Sequence, residues 1–517
     1  MSLKISVVTK PKKDIPFVFF LLEKGTVTHD PIFAFLGRAE KNYLQKIAVE
    51  SRVKEKEAKV FVMPGTRREV IVVGLGEKAA LNPQKIGLFL RLAVHTARRE
   101  KCAGCAWSAM PMKTSDETRD SYEVAATNAV MANFEFVKYK TTPTGEIPFL
   151  KEMEAVVTKP YATFGPDIKE GVRRGVIIGE EVNRCRELSN TPGGDMTPDA
   201  LAAHAKNAAQ GFGIRVEILN EAKMKSLGMG GVLGVGKGSD SPPRFIIMEY
   251  MHGPADKKPT VLVGKGVTFD SGGLNLKPES GIYEMHMDMS GGAAVIHALI
   301  AAARLKLKKN IVVLVPAAEN MLSGRSYRPG DLLRTMGGKT IEVLNTDAEG
   351  RVIMADALEY AKRYKPALVV DVATLTGAAV VALGMRYSGL FTPEKSLREK
   401  FIALGEATGD LVWPLPLTAE YEDDIKGTFG DWANTGKNRW GGATTAAVFL
   451  WQFVKGDRAW NTTGKKEKAG PANRTRDAYP WVHLDVAPRM TSIEGDYLAK
   501  GAAGAPVRLL MKLLEEE

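Results

Sequence analysis

Between residues 215 and 486, short apolar runs alternate with segments of helical spacing, and this alternation constrains the fold more than any other feature of the chain. The runs are Arg215 to Leu219, Arg244 to Met248, Thr260 to Val263, Ile311 to Val315, Ala367 to Asp371 and Trp481 to Val486. Helical spacing fills the stretches near 289 to 305, 351 to 364 and 444 to 454. Runs this short and uniformly apolar suit strands covered on both faces, so the repetition predicts an α/β fold with a mostly parallel sheet. The first 165 residues repeat the pattern on a smaller scale, with strand-like runs at Phe17 to Leu22, Val60 to Met63 and Val70 to Gly74 and a helical stretch near Lys85 to Lys101. Between the two lies a long polar helix with apolar spacing at Val172, Val176, Ile177 and Val182, closed by Ser189-Asn-Thr-Pro-Gly-Gly194. The expected organisation is a smaller N-terminal α/β domain over 1–165, a linker helix over 166–190 and a larger α/β domain over 191–517.

Composition excludes several classes. With 44% hydrophobic and 25% charged residues the chain is neither disordered nor fibrous. Its longest apolar stretches fall short of the roughly 18 residues a membrane span needs, and the N-terminus shows no secretory pattern, so a cytoplasmic protein without a membrane partner is expected. Three cysteines cannot build a disulfide framework, and the lone Cys102-Ala-Gly-Cys105 reads as two small buried thiols. Of the formal charge of +11, a net +8 belongs to residues 1–165. That excess fits either a solvated face or a nucleic-acid partner, although the lysine-rich tracts lack interleaved stacking aromatics. Gly231 to Gly238 approaches a phosphate-binding loop but has Gly238 where a Ser or Thr is required. The basic segment Lys455 to Asp477 reads as an exposed loop.

Ligands of open parallel sheets bind at the carboxyl ends of the strands, so the residues after each apolar run are the informative ones. After Thr260 to Val263 comes a glycine-rich turn, Gly264-Lys-Gly-Val-Thr-Phe-Asp-Ser-Gly-Gly273, holding Lys265 and Asp270, with Lys277 beyond it. Asp288 is read as opening a helix whose first turns are small. After Ile341 comes Asn345-Thr-Asp-Ala-Glu-Gly-Arg351, and in extended chain Asp347, Glu349 and Arg351 share one face. Four acids drawn to one place repel unless cations lie among them, and two divalent ions in an oxygen-rich site meet that need. Seven scattered histidines argue against a histidine-based zinc site; His286 reads as a pocket-wall or solvent-facing residue and His483 as a hydrogen-bonded core residue.

These motifs, with Leu276-Lys-Pro278, Asp371 to Ala378, Gly441 to Ala443 and Trp481 to Val486, resemble the leucyl aminopeptidase family of dinuclear metallopeptidases. The resemblance implies a macro-domain-like N-terminal domain and a hexamer with a cytoplasmic role. It implies two Mn2+ or Zn2+ ions held by Lys265, Asp270, Asp288, Asp347 and Glu349, with a bridging water as nucleophile attacking the first peptide bond of peptide substrates. Lys277 then donates to the carbonyl oxygen, and Arg351 holds a bicarbonate that relays the proton. Met285, Thr374 and Gly377 correspond to the substrate pocket, an apolar lining that favours leucine or another neutral bulky first residue. Asn275, where serine is more usual, and Pro488, where glycine is, depart from the pattern. A rival reading makes the basic N-terminal domain a DNA-binding module; ADP-ribose recognition by that domain has no specific residue in its favour.

Overall fold

A computed structural model describes residues 3–77, 82–108, 114–141, 147–455 and 479–517. The chain divides into two compact units: one comprises 1–183, 407–409 and 492–501, the other 184–406, 410–491 and 502–517. All but one residue of the basic segment 455–477 lies outside the described residues. No helix among the described residues is long and apolar enough to cross a membrane.

The first unit is built on a six-stranded sheet in the order Lys4–Val8, Glu152–Val156, Gly104–Ser108, Phe17–Leu22, Glu69–Gly76, Ala58–Val62. Its pairings are parallel except the last. The central strands read as unbroken apolar runs because both faces are covered. Phe17, Phe19, Val70 and Val72 pack with Leu44 and Ala48 on one side, while Val18, Ile71 and Val73 pack with Phe89, Ala93 and Ala126 on the other. Asn82 caps the helix Pro83–Arg99 by accepting from Lys85 N–H at 2.8 Å. Cys102 and Cys105 are buried and unpaired, and burial pushes the Cys105 thiol up to about 12, as expected of structural thiols.

The long helix runs from Gly165 to Asn190, and the division between units falls inside it, after Asn183. Its polarity is less complete than the sequence implies. Gly171 and Gly175 lie so close to the helix Ser115–Ala132 that a Cβ on either would sit 2.3 Å from a carbonyl oxygen, of Arg119 and Glu123 respectively.

The second unit contains nine strands in one sheet: β1 (Arg215–Leu219), β2 (Arg244–Met251), β3 (Thr260–Gly264), β4 (Gly266–Asp270), β5 (Asn310–Asn320), β6 (Leu368–Ala373), β7 (Ser388–Phe391), β8 (Val412–Pro414) and β9 (Trp481–Asp485). The order is β8-β7-β9-β6-β3-β5-β2-β1, and β9, β6, β3 and β5 form a parallel centre. Helices α1 (Ser290–Arg304), α2 (Glu349–Ala361) and α3 (Gly442–Val454) cover it. Strand β5 is longer than its apolar run, continuing through Pro316 to Asn320. It pairs with β3 up to Leu314 and with β4 from Ala317, so Pro316 falls opposite Lys265, where neither parallel ladder extends and its missing N–H costs neither a bond.

Three expectations are corrected. The glycine-rich turn after β3 is largely strand, since the chain re-enters the sheet as β4 after Lys265. Asp288 does not open a helix; it follows a short 3-10 turn, Met285–Met287, and α1 begins at Ser290. Asp347, Glu349 and Arg351 do not lie on extended chain, because α2 begins at Glu349. The near phosphate-binding sequence is a helix, Gly230–Gly236, with its Val232 N–H donating to Asp356 Oδ2 at 3.0 Å.

Candidate active site

The site lies at the carboxyl ends of β4, β5 and β6. Lys265 occupies the break between β3 and β4, its backbone N–H donating to Val372 O at 2.9 Å and its carbonyl accepting from Gly292 N–H at 2.7 Å. These bonds aim its side chain across the start of α2. Gly350 is required there, since a Cβ would lie 2.6 Å from Lys265 Cε. Lys265 Nζ sits 2.7 Å from Asp288 Oδ1 and 2.9 Å from Glu349 Oε1. On the other side of the cluster, Lys277 Nζ sits 2.8 Å from Asp270 Oδ2 and 2.6 Å from Asp347 Oδ1. Four acids and two lysines thus meet in four ion pairs, two to each lysine, with Lys265, Asp270, Asp288 and Glu349 buried.

The electrostatics follow from that crowding. Burial, with the Glu349 carboxylate nearby, pushes Asp270 up to about 7 against the pull of both lysines. Burial raises Asp288 well above the usual carboxylate range, and raises Asp347 less. Burial also opposes ionisation of Glu349, but Lys265 and Lys277 outweigh it and hold this acid below its ordinary value. Both lysines are desolvated, yet the carboxylates around them keep them firmly protonated. Fully ionised, four carboxylates against two ammonium groups would carry net negative charge, and the raised Asp270 and Asp288 show that the cluster resists that state without a further cation.

Asp270, Asp347 and Glu349 each present a carboxylate oxygen within 4.8 Å of the others. Asp288 Oδ2 is buried with no hydrogen-bond partner. Four acids whose full ionisation calls for further positive charge, with an orphaned buried carboxylate oxygen among them, fit hard or borderline divalent cations. Arg351 points from the first turn of α2, donating from Nη1 to Asn434 O at 2.8 Å, with Nε buried and unpartnered. Burial pushes its guanidinium down to about 10, and an anion beside Nε would relieve that cost.

The three pocket candidates are placed differently from one another. Met285 is half-buried at the start of its 3-10 turn, and Gly377 is exposed at the start of the helix Gly377–Leu383. Thr374 is buried, and its hydroxyl donates to Asp288 Oδ1 at 2.7 Å while its carbonyl accepts from Lys265 Nζ at 2.9 Å. Its side chain therefore serves the acid cluster. His286 is half-buried, and His483 lies in the core with Nδ1 2.5 Å from Asp371 Oδ1.

Sequence reasoning missed three residues. Asn320 Nδ2 donates to Asp270 Oδ1 at 2.8 Å, Thr346 joins the surrounding loops, and the Tyr327 hydroxyl donates to Thr346 O at 2.6 Å. Asn320 lies within reach of the strand-end rule once the run Ile311 to Val315 is carried past Pro316 to the true end of β5.

Residues 183–511 match the catalytic domain of the Cytosol aminopeptidase family, and residues 18–143 match its N-terminal domain. A protein named "Probable cytosol aminopeptidase" from Roseiflexus castenholzii is 39% identical over 87% of this chain and 87% of its own length. Another of that name, from Methylobacillus flagellatus, is 37% identical over 93% of each chain. Among solved structures, the bottromycin maturation enzyme BotP in complex with Mn is similar with a TM-score of 0.81 at 29% identity, covering 97% of this chain and 99% of its own.

Proposed function

The chain belongs to the cytosol aminopeptidase family and is a metal-dependent aminopeptidase; we propose that it releases leucine, or another neutral bulky first residue, from the N-termini of peptides. The observation that carries the reading is the meeting of buried Asp270 and Glu349 with half-buried Asp347 within 4.8 Å, flanked by Lys265 and Lys277. Asp270, Asp288, Asp347 and Glu349 would hold two divalent cations, Mn2+ or Zn2+, and Lys265 would join them through Nζ once those cations displace the proton it carries in the metal-free cluster. When bound, such ions supply Lewis acidity toward the scissile carbonyl and the attacking water.

The chain's own groups account for the rest. Lys277 keeps its proton because two carboxylates face it, so it can donate to the carbonyl oxygen as negative charge develops there. Arg351 presents a buried, unpartnered N–H that suits a small oxyanion, and it would hold bicarbonate as the acid–base partner of the leaving amine. Recognition of the free α-amine at the Asp288 end restricts cleavage to the first peptide bond. Met285, Thr374 and Gly377 offer the first side chain a roomy lining without a charged group.

Purified protein incubated with Mn2+, Zn2+ or Co2+ should release leucine from leucine amide or a leucine anilide, and Asp347→Ala or Glu349→Ala should abolish this. Failure with every metal would defeat the reading. In the same account residues 191–517 carry the chemistry, 166–190 link them to the N-terminal domain, and the enzyme is a cytoplasmic homohexamer, a state light scattering would test. The net +8 of residues 1–165 also supports a nucleic-acid partner. That reading predicts DNA affinity falling steeply with salt, and no gel shift at low salt would end it.

A further inference from the structure

Thr346 is fully buried beside the acid cluster, and its polar atoms engage the 272–275 loop on one side and Asn320 and Tyr327 on the other. Its N–H donates to Asn275 Oδ1 at 2.9 Å. Its hydroxyl accepts from Asn275 N–H at 2.9 Å and donates to Gly272 O at 2.6 Å. Its carbonyl accepts from Asn320 Nδ2 at 2.9 Å and from the Tyr327 hydroxyl at 2.6 Å. Donors and acceptors are fully matched, which is what a buried threonine between loops needs.

The loops joined in this way carry the reactive groups. Gly272 and Asn275 lie between Asp270 and Lys277, the Asn320 amide that binds Thr346 also holds Asp270 Oδ1, and Asp347 follows Thr346 directly. The 270–277 loop turns at Gly272 and Gly273, both at positive φ, +85° and +65°, and is closed by Lys277 N–H donating to Ser271 O at 2.9 Å. The bonds of Gly272 and Asn275 to Thr346 tie this closed loop to the chain that carries Asp347. Close approach is part of the arrangement: a Cβ on Gly273 would lie 3.0 Å from Thr346 Oγ1.

We propose that Thr346 is a positioning residue that fixes the Lys277 loop against Asp270 and Asp347, with Asn275 as its reciprocal partner. Asn275 fills this role twice over: its side-chain oxygen accepts from the Thr346 N–H while its own N–H meets the Thr346 hydroxyl. The inference rests on the reading of Lys277 as donor to the scissile carbonyl. A lysine displaced by a fraction of an ångström from a developing oxyanion loses much of its effect, whereas substrate binding elsewhere is untouched.

The test compares Thr346→Val, Thr346→Ser and Asn275→Ala with the wild type as full-length protein loaded with Mn2+. Thr346→Val should lower kcat on leucine amide about 10- to 100-fold with KM changed by less than about threefold, and Thr346→Ser should recover most of that loss. Bound Mn per chain should stay as in the wild type. Hydrogen–deuterium exchange at the 272–277 amides should rise in Thr346→Val, in metal-free protein as well as loaded. An unchanged kcat, a loss that tracks Mn content, a loss that serine does not rescue, or unchanged exchange at 272–277 would each overturn the proposal. If the valine variant does not fold, Asn275→Ala, at an exposed position, is judged by the same measures. A wild type that releases no leucine would defeat the substrate reading instead, and the exchange data would still decide the role of Thr346.

Discussion

Nζ of Lys265 lies 2.7 Å from Oδ1 of Asp288, and both side chains are almost wholly removed from solvent. Lys265 is also 2.9 Å from Glu349, so one cation balances two buried acids. Lys265→Met leaves both carboxylates without that counter-charge. Breaking one side of a buried pair costs about 3–5 kcal/mol, so thermal denaturation in the presence of a chelator should show a loss of that order. An unchanged midpoint would show that the pair is not what stabilises the metal-free cluster.

Lys277→Ala should lower kcat about 100- to 1,000-fold, the usual cost of removing one donor from a developing oxyanion. Metal binding should survive, because deleting an ammonium beside Asp270 and Asp347 leaves those acids more attractive to cations. Elemental analysis alongside turnover separates the two effects; loss of metal with activity would assign Lys277 to holding the ions.

His483 and Asp371 face each other across β9 and β6, in register and fully buried. Burial works against charge on His483, but the Asp371 carboxylate outweighs it and raises the imidazole above its ordinary 6.5. The folded state therefore binds this proton more tightly than the unfolded one. The stabilisation is complete below about pH 6.5 and is lost as pH climbs through the raised folded value. Urea unfolding of the wild type and Asp371→Asn should give a gap that is widest near pH 6 and narrows by pH 9. A gap that widens with pH would contradict the assignment.

Gly377 is exposed, its φ is not positive, and a Cβ there meets nothing within 4 Å. Gly377→Leu should fold normally and narrow the first-residue pocket, raising KM for leucine amide about tenfold or more while leaving glycine amide nearly unaffected. Equal effects on both substrates would remove Gly377 from the pocket.

The strand-end acids were legible because a parallel sheet places whatever closes or follows each apolar run at one edge, and Asp270 is the last residue of β4. How Asp347 and Glu349 converge was not. Period-two alternation put them on one face, whereas the chain turns at Asn345, whose Oδ1 accepts from Asp347 N–H at 2.8 Å, and starts α2 at Glu349. An Asn shortly before an acid and an apolar helical run was the available signal. Partners far apart in sequence stayed hidden: Arg351 donates to Asn434, 83 residues away, and Asn320 reaches Asp270, 50 residues back. No local pattern encodes such contacts, since the sheet order brings them together. Thr374, expected by resemblance to line the pocket, also donates its hydroxyl to Asp288, a contact across 86 residues that no local pattern announces.

The central claim is that these four acids and Lys265 form a two-metal aminopeptidase site. The most direct measurement is metal content and leucine amide turnover on one preparation, for the wild type and Glu349→Ala. The account predicts two divalent ions per chain with turnover in the wild type, and loss of turnover with fewer than two ions in the variant. A wild type that binds no divalent ion, or a variant that turns over substrate at the wild-type rate, would contradict it.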